Sequence, residues 1–69
     1  MSANPIRYFI EVVRSGSIRE ASQRLNVAPS ALSRQIQNLE HELDMPLFER
    51  RPRGMALTAA GKIYARYAQ

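Results

Sequence analysis

The sequence predicts a mainly α-helical fold, with a core of three helices followed by a β-hairpin and a C-terminal helix. Three observations support this prediction. Apolar residues recur every three or four positions in three stretches before residue 44. Residues that start and stop helices separate these stretches, and a Pro-Arg-Gly turn lies between two short apolar runs after them. Sixty-nine residues allow one small domain, whose core contributes at most about 3–5 kcal/mol.

The first helix is predicted over residues 5–15. Asn4 is a good N-cap, Pro5 suits the first helical position, and Gly16 can adopt the left-handed conformation that ends a helix. Its apolar residues repeat at helical spacing and predict one buried stripe: Ile6, Phe9, Ile10 and Val13.

The second helix is predicted over residues 18–25. Ser17 and Glu20 have the spacing of a capping box, in which each side chain accepts from the other residue's backbone N–H. Asn26 tolerates the left-handed conformation and can end the helix sharply. A third helix is predicted three or four residues further on. Two helices joined by such a short turn form a helix-turn-helix, here at about residues 18–37, or an αα-hairpin without a binding function. The predicted buried positions are Ile18, Ala21, Ser22 and Leu25.

The third helix, predicted over residues 28–43, combines an apolar stripe with a polar face of unusual composition. The stripe consists of Leu32, Ile36, Leu39 and Leu43. A face that only needs solvation is more often Glu and Lys, whereas this one carries hydroxyl, guanidinium and amide groups at Ser30, Arg34 and Gln37, with Ser33 on its flank. Because such groups hydrogen-bond base edges and phosphates, the helix indicates a nucleic-acid-binding surface. An ordinary amphipathic helix is the alternative.

Basic charge is concentrated after residue 49. The formal net charge is +4, nine of the ten basic residues are arginine, and residues 50–66 contain five basic residues and no acidic one. Three arginines surround the tip of the predicted hairpin: Arg50, Arg51 and Arg53. A hairpin beside a helix in the major groove can reach the DNA backbone or an A·T-rich minor groove, whose negative potential attracts arginine. A solvated loop is the alternative interpretation.

The last helix is predicted to begin after its cap, Thr58. Its apolar residues again repeat at helical spacing: Ala60, Ile63, Tyr64 and Tyr67. A stripe with two tyrosines and an isoleucine needs a partner. We expect this partner to be a second copy of the chain, giving a homodimer. Packing on the first helix of the same chain is the alternative.

Enzymatic activity is not expected from this composition. There is no cysteine. His41 is the only histidine, and His41-Glu42 does not extend to the zinc-binding motif His-Glu-x-x-His, because residue 45 is methionine. The glycines are too scattered for a phosphate-binding loop. We therefore expect no catalytic residue, metal or cofactor.

We also expect a cytoplasmic protein without a membrane span or signal peptide. Binding of RNA is disfavoured, because no aromatic platform for stacking bases is evident.

The run from Ser15 to Gly61 resembles the N-terminal winged helix-turn-helix domain of the LysR-type transcriptional regulators. The matching residues are Gly16-Ser17, Ala21, Leu25, Val27, Ala31-Leu32-Ser33-Arg34-Gln35-Ile36, Leu39-Glu40, Leu47-Phe48, Arg50, Leu57-Thr58 and Gly61. The sequence departs from the family's pattern in two places, residues 28–30 and residue 44. Ala28-Pro29-Ser30 replaces Ser-Gln-Pro, which removes an N-cap and a base-reading side chain, and Asp44 replaces a glycine.

The resemblance implies sequence-specific binding of double-stranded DNA, with DNA contacts at Pro29, Ser30, Ser33, Arg34 and Arg53. With Gln37, Arg50 and Arg51 these residues form the candidate DNA-binding set. The resemblance implies a DNA-binding domain at residues 1–58 and the start of a dimerising linker helix at residues 59–69. It further implies a near-palindromic operator and a missing C-terminal domain that binds a small-molecule effector. A winged-helix protein-interaction module is the alternative function.

Overall fold

A computed structural model describes residues 4–68 and has the predicted mainly helical architecture. Three helices come first: α1 (Pro5–Ser15), α2 (Ile18–Leu25) and α3 (Pro29–Leu43). Strands β1 (Phe48–Arg51) and β2 (Gly54–Leu57) form an antiparallel hairpin, and α4 (Ala59–Ala68) follows. We call residues 48–57 the wing and α3 the recognition helix. Within residues 4–68, no helix combines the length and apolar character needed to cross a membrane.

The helix ends lie where the capping residues predicted them. Asn4 Oδ1 accepts hydrogen bonds from the backbone N–H groups of Ile6 and Arg7 at 3.1 and 3.2 Å. Gly16 ends α1 in the left-handed conformation, with φ 79°. Asn26 and Asp44 end α2 and α3 in the same conformation, with φ 58° and 55°. Asp44 therefore performs the role for which the family pattern uses glycine.

The capping box of α2 forms only in part. Ser17 Oγ accepts from the backbone N–H of Glu20 at 3.1 Å, as predicted. The reciprocal bond, from the Ser17 N–H to the Glu20 carboxylate, is not among the hydrogen bonds of residues 4–68. Glu20 is exposed, so water competes with the backbone for its carboxylate, and the second half of the box contributes little there.

The core is built where the helices meet, and it differs from the predicted stripe of α1. Phe9 and Val12 are almost completely buried, whereas Ile6 is 44% exposed. Because α1 contacts α2, α3 and α4, three neighbours together set its buried face, and the spacing of apolar residues along α1 alone does not specify it. The buried core residues are Phe9, Val12, Ala21, Leu32, Ile36, Leu39, Leu47 and Ala65.

The wing is attached to the helices through β2 and through the residues that flank the wing. The Met55 N–H donates to the Gly16 carbonyl at 3.0 Å, which joins β2 to the α1–α2 turn. Gly54 lies so close to this turn that a Cβ would come within 2.6 Å of the Gly16 oxygen, and its φ of 135° also favours glycine. Thr58 Oγ1 donates to the Pro46 carbonyl at 2.7 Å and accepts from the Gly61 N–H at 2.9 Å, which confirms its role as the cap of α4.

Helix α4 packs on the core through a different face from the predicted apolar stripe. Gly61 and Ala65 are buried, and at Gly61 a side chain would overlap the Leu47 carbonyl. Of the stripe itself, Tyr64 packs edge-on against Phe9, with ring centroids 5.1 Å apart. Ile63 and Tyr67 remain 59% and 84% exposed. The small residues thus allow close approach of the backbones, and half of the apolar stripe, Ile63 and Tyr67, is left at the surface.

Candidate nucleic-acid interface

The recognition helix presents its polar face to solvent along its whole length. Pro29, Ser30, Arg34 and Gln37 are exposed, and Ser33 is half-buried on the side of the wing. The opposite face is anchored in the core through Leu32, Ile36 and Leu39, which are 0–5% exposed. The polar side chains therefore project from a helix whose rotation about its axis is set by buried contacts.

The N-terminal end of the recognition helix has no side-chain cap. Ala28 occupies the N-cap position in extended conformation and supplies no hydrogen bond from its side chain. Pro29 removes one of the free N–H groups, and those of Ser30 and Ala31 remain at the positive end of the helix. Such donors are suited to a phosphate or another anion.

The wing separates its arginines onto different surfaces. Side chains alternate along a strand, so Arg50 shares a face of β1 with Phe48, whose ring packs 5.3 Å from that of Phe9. Arg50 Nη2 lies 3.4 Å from Ser33 Oγ on the recognition helix. Arg51 projects from the other face, where its guanidinium lies 3.1 Å from the Glu49 carboxylate.

Arg53 occupies the two-residue turn between the strands and is exposed. The Arg51–Glu49 pair is also open to solvent, with side-chain exposures of 61% and 56%. An exposed pair of this kind contributes little to stability, so a phosphate can replace Glu49 as the partner of Arg51. The wing therefore offers three cationic groups at different places: Arg50 against the recognition helix, Arg51 on the opposite face of β1, and Arg53 in the turn.

Of the predicted DNA-binding residues, the structure joins one pair directly: Ser33 and Arg50. The others share the exposed surface of the recognition helix or of the wing, and no side-chain hydrogen bond joins them to one another among residues 4–68. A surface that combines hydroxyl, amide and guanidinium donors on a helix with an arginine-rich hairpin can bind phosphates and base edges together. Residues 4–68 contain no group of three His, Cys, Asp or Glu side chains placed to hold a metal ion.

The four residues predicted as a dimer interface line one apolar groove at the surface. Met45, which is 38% exposed, completes the groove. The groove has a volume of about 220 Å³. Met45 was not predicted at this surface, because it lies in a connecting segment outside the periodicity of α4. The lining residues are Met45, Ala60, Ile63, Tyr64 and Tyr67.

Glu40 is a polar residue whose role was not predicted from the sequence. One oxygen of its carboxylate accepts from the backbone N–H groups of Leu47 and Phe48, at 2.7 and 3.2 Å. The sequence held one signal of this role. Glu40 lies near the C-terminal end of a helix, where the helix dipole disfavours negative charge. Glu42 shares this feature, so the signal did not single out Glu40.

Comparison with known proteins places this arrangement in a family. Residues 3–62 match the model of the bacterial regulatory helix-turn-helix proteins of the lysR family. The chain is 42% identical over 64 residues to the HTH-type transcriptional regulator TfdT of Cupriavidus pinatubonensis, covering 93% of this chain and 28% of TfdT. It is 45% identical over 64 residues to ClcR of Pseudomonas putida, covering 93% of this chain and 22% of ClcR. The chain thus spans less than a third of the length of these relatives.

Solved structures agree in fold. The DNA-binding domain of CbnR in complex with DNA superposes with a TM-score of 0.91 at 40% identity, over 99% of this chain and 78% of that one. The DNA-binding domain of BenM in complex with catB site 1 DNA gives a TM-score of 0.91 at 43% identity, over 99% and 76% of the two chains. Because the superposition covers nearly the whole of this chain, it includes the recognition helix and the wing described above.

Proposed function

Because the chain belongs to the lysR family of bacterial regulatory helix-turn-helix proteins, we propose that it binds double-stranded DNA as the DNA-binding domain of a transcriptional regulator. The observation that carries the proposal is the exposed Ser-Arg-Gln face of the recognition helix beside an arginine-rich wing. Regulation of transcription belongs to the whole protein. A larger C-terminal domain that binds a small effector, and a location in the cytoplasm, are parts of the same proposal.

The recognition helix enters the major groove in this proposal. Arg34 lies in its first half and is exposed, so its guanidinium can donate two hydrogen bonds to the O6 and N7 atoms of one guanine. Ser30 and Gln37 lie on the same face, about one turn before and one turn after it. The free N–H groups at the start of the helix and the Ser33 hydroxyl contact phosphates, which set the position of the helix in the groove.

The wing contacts the flanking DNA. Arg50 lies closest to the recognition helix, through Ser33, and is placed for a phosphate at the edge of the major groove. Arg53, in the turn, extends furthest and is suited to a minor groove narrowed by A·T base pairs. Sequence preference therefore arises in two ways, by base contacts from the helix and by groove shape at the wing.

We predict that Arg34→Ala and Arg53→Ala weaken DNA binding in different ways. Loss of Arg34 should cost about 1–3 kcal/mol on a duplex selected by the chain from a random library, and should relax preference at one base pair. Loss of Arg53 should weaken binding mainly where the flanks are A·T-rich. Fluorescence anisotropy on the selected duplex, a single-base series and a G·C-flanked version measures both effects.

Arg7→Ala serves as the matched control for both variants. It removes an exposed arginine from α1, which carries none of the candidate DNA-binding residues, and should leave sequence preference unchanged. Equal losses for Arg34→Ala and Arg53→Ala on selected and random duplexes would show that the division between base and shape recognition is wrong.

We further propose that two copies of the chain associate through the apolar groove of α4. The exposed side chains of Ile63 and Tyr67 support this proposal, because large apolar groups at a surface commonly mark interaction sites. A two-fold dimer would place two recognition helices in successive major grooves, about 34–36 Å apart or a multiple of that distance, on a near-palindromic operator.

The double variant Ile63→Asp, Tyr67→Asp should be monomeric and should bind the selected duplex more weakly. The unchanged chain should show a concentration-dependent monomer–dimer equilibrium in sedimentation equilibrium, because the described helix, Ala59–Ala68, presents a small pairing surface. Ala59→Asp is the control, since residue 59 is exposed and lies outside the groove. A chain that is monomeric at every concentration, with DNA affinity unaltered in the double variant, would contradict the proposed dimer.

A further inference from the structure

Glu40 connects the recognition helix to the base of the wing. Its Oε2 atom accepts from the N–H groups of Leu47 and Phe48, and its own backbone carbonyl accepts from the Met45 N–H at 3.1 Å. A single residue thus receives three of the backbone donors between the end of α3 and the start of β1. Leu47 is fully buried, so its N–H would otherwise lose the hydrogen bonds of water without replacement.

The stability of α3 does not explain a carboxylate at this position. Negative charge near the C-terminal end of a helix is opposed by the helix dipole. Two charge-assisted hydrogen bonds to backbone N–H groups offset that cost, but both donors belong to the segment that leads into the wing. The energetic benefit of the carboxylate therefore lies in the orientation of this segment.

The other attachments of the wing lead to different parts of the domain. Met55 joins β2 to the α1–α2 turn, and Thr58 joins the segment before β1 to the start of α4. Among residues 4–68, the hydrogen bonds that join β1 and the residue before it to the recognition helix are those of Glu40 and the exposed 3.4 Å contact between Arg50 and Ser33. Glu40 provides the shorter and better buried of these two connections.

We propose that Glu40 is a positioning residue for DNA binding: its carboxylate holds the wing at the angle to the recognition helix that lets both contact one duplex. This inference rests on the proposed function and adds to it a residue that touches no DNA. The recognition helix and the wing then act as one preformed surface. The wing then loses its conformational entropy when the domain folds, so this loss does not reduce the affinity for DNA.

Simple electrostatics predicts the opposite effect of removing this charge. A negative side chain on a DNA-binding domain repels phosphate, so its neutralisation should strengthen binding modestly. Glu42 provides the matched control. It lies two residues away on α3 and is exposed, and its side chain accepts none of the side-chain hydrogen bonds found among residues 4–68. Glu42→Ala should leave affinity unchanged or slightly higher, and Glu40→Ala should lower it.

The test compares Glu40→Ala, Glu40→Gln and Glu42→Ala on the selected duplex with A·T-rich flanks. We expect Glu40→Ala to weaken binding about tenfold and to reduce the slope of log affinity against log salt by about 0.9 for each phosphate that the wing no longer neutralises. Glu40→Gln retains an oxygen acceptor in the same place and should restore most of the affinity. Amide hydrogen exchange at Leu47 and Phe48 should be faster in Glu40→Ala and close to normal in Glu40→Gln.

A double-mutant cycle separates positioning from general loss of stability. Arg53→Ala should weaken binding less in the Glu40→Ala background than in the unchanged chain, because a misplaced wing already binds the duplex weakly. Arg34→Ala should weaken binding equally in both backgrounds. These measurements are made at a temperature at which far-UV circular dichroism shows every variant folded, so an unfolded fraction does not imitate the coupling.

Three results would overturn the inference. They are equal affinities for Glu40→Ala and Glu42→Ala, a full loss of affinity in Glu40→Gln despite normal exchange at Leu47 and Phe48, and additive effects of Glu40→Ala and Arg53→Ala. Failure of the proposed function has a different signature. In that case the unchanged chain and Glu42→Ala would bind no duplex, while hydrogen exchange would still respond to Glu40→Ala.

Discussion

DNA affinity should fall by about 40-fold to 150-fold when the salt concentration rises from 50 to 200 mM, if three or four arginines neutralise phosphates. This range follows from the release of counterions, which gives a slope of log affinity against log salt of about −0.9 for each phosphate contacted. The three arginines of the wing, Arg50, Arg51 and Arg53, are exposed candidates, and Arg34 is the fourth if its charge also displaces a counterion beside the guanine that it contacts. Fluorescence anisotropy titrations at a series of salt concentrations measure the slope.

Variants that replace one arginine at a time identify which arginines contribute to the salt dependence of DNA binding. Arg51→Ala should make the slope shallower by about 0.9, although Arg51 pairs with Glu49 in the free domain, because that exposed pair is weak. Arg7→Ala should leave the slope unchanged. Affinity that does not depend on salt would favour the other function considered for this fold, a winged-helix module that binds a protein.

Replacing Phe9 by alanine should leave much of the domain unfolded at room temperature. Phe9 is completely buried, and its ring packs against those of Phe48 in the wing and Tyr64 in α4. A Phe→Ala change in a core costs about 3–5 kcal/mol. A domain of 69 residues has a free energy of unfolding of about 3–10 kcal/mol, so this loss is a large share of the total.

Urea unfolding followed by far-UV circular dichroism measures the change. Ile6→Ala is the control, because Ile6 lies on the same helix but is 44% exposed, and its truncation should cost about 1 kcal/mol or less. The sequence pattern of α1 treats the two residues as equivalent. Equal losses of stability in the two variants would show that α1 has a different orientation from the one described.

The candidate DNA-binding surface was largely predictable from the sequence, because most of its residues belong to single elements. A helix with one apolar stripe exposes the opposite face, which located Ser30, Arg34 and Gln37 at the surface. Likewise a short hairpin exposes its turn, which located Arg53. The contact between Ser33 and Arg50 could not be predicted in this way, since it joins residues on two elements whose relative angle depends on the packing of the whole domain.

The sequence by itself determined the bounds of the helices and the position of the hairpin. Asn4, Gly16, Asn26 and Asp44 act on the backbone of their immediate neighbours, so their effect is local and can be read in order along the chain. Only the tertiary structure decided which apolar residues are buried, as at Ile6 and on α4, and which charge holds the wing, as at Glu40. These outcomes depend on the surfaces that other elements present, because burial and hydrogen bonding between distant residues are set when all elements pack together.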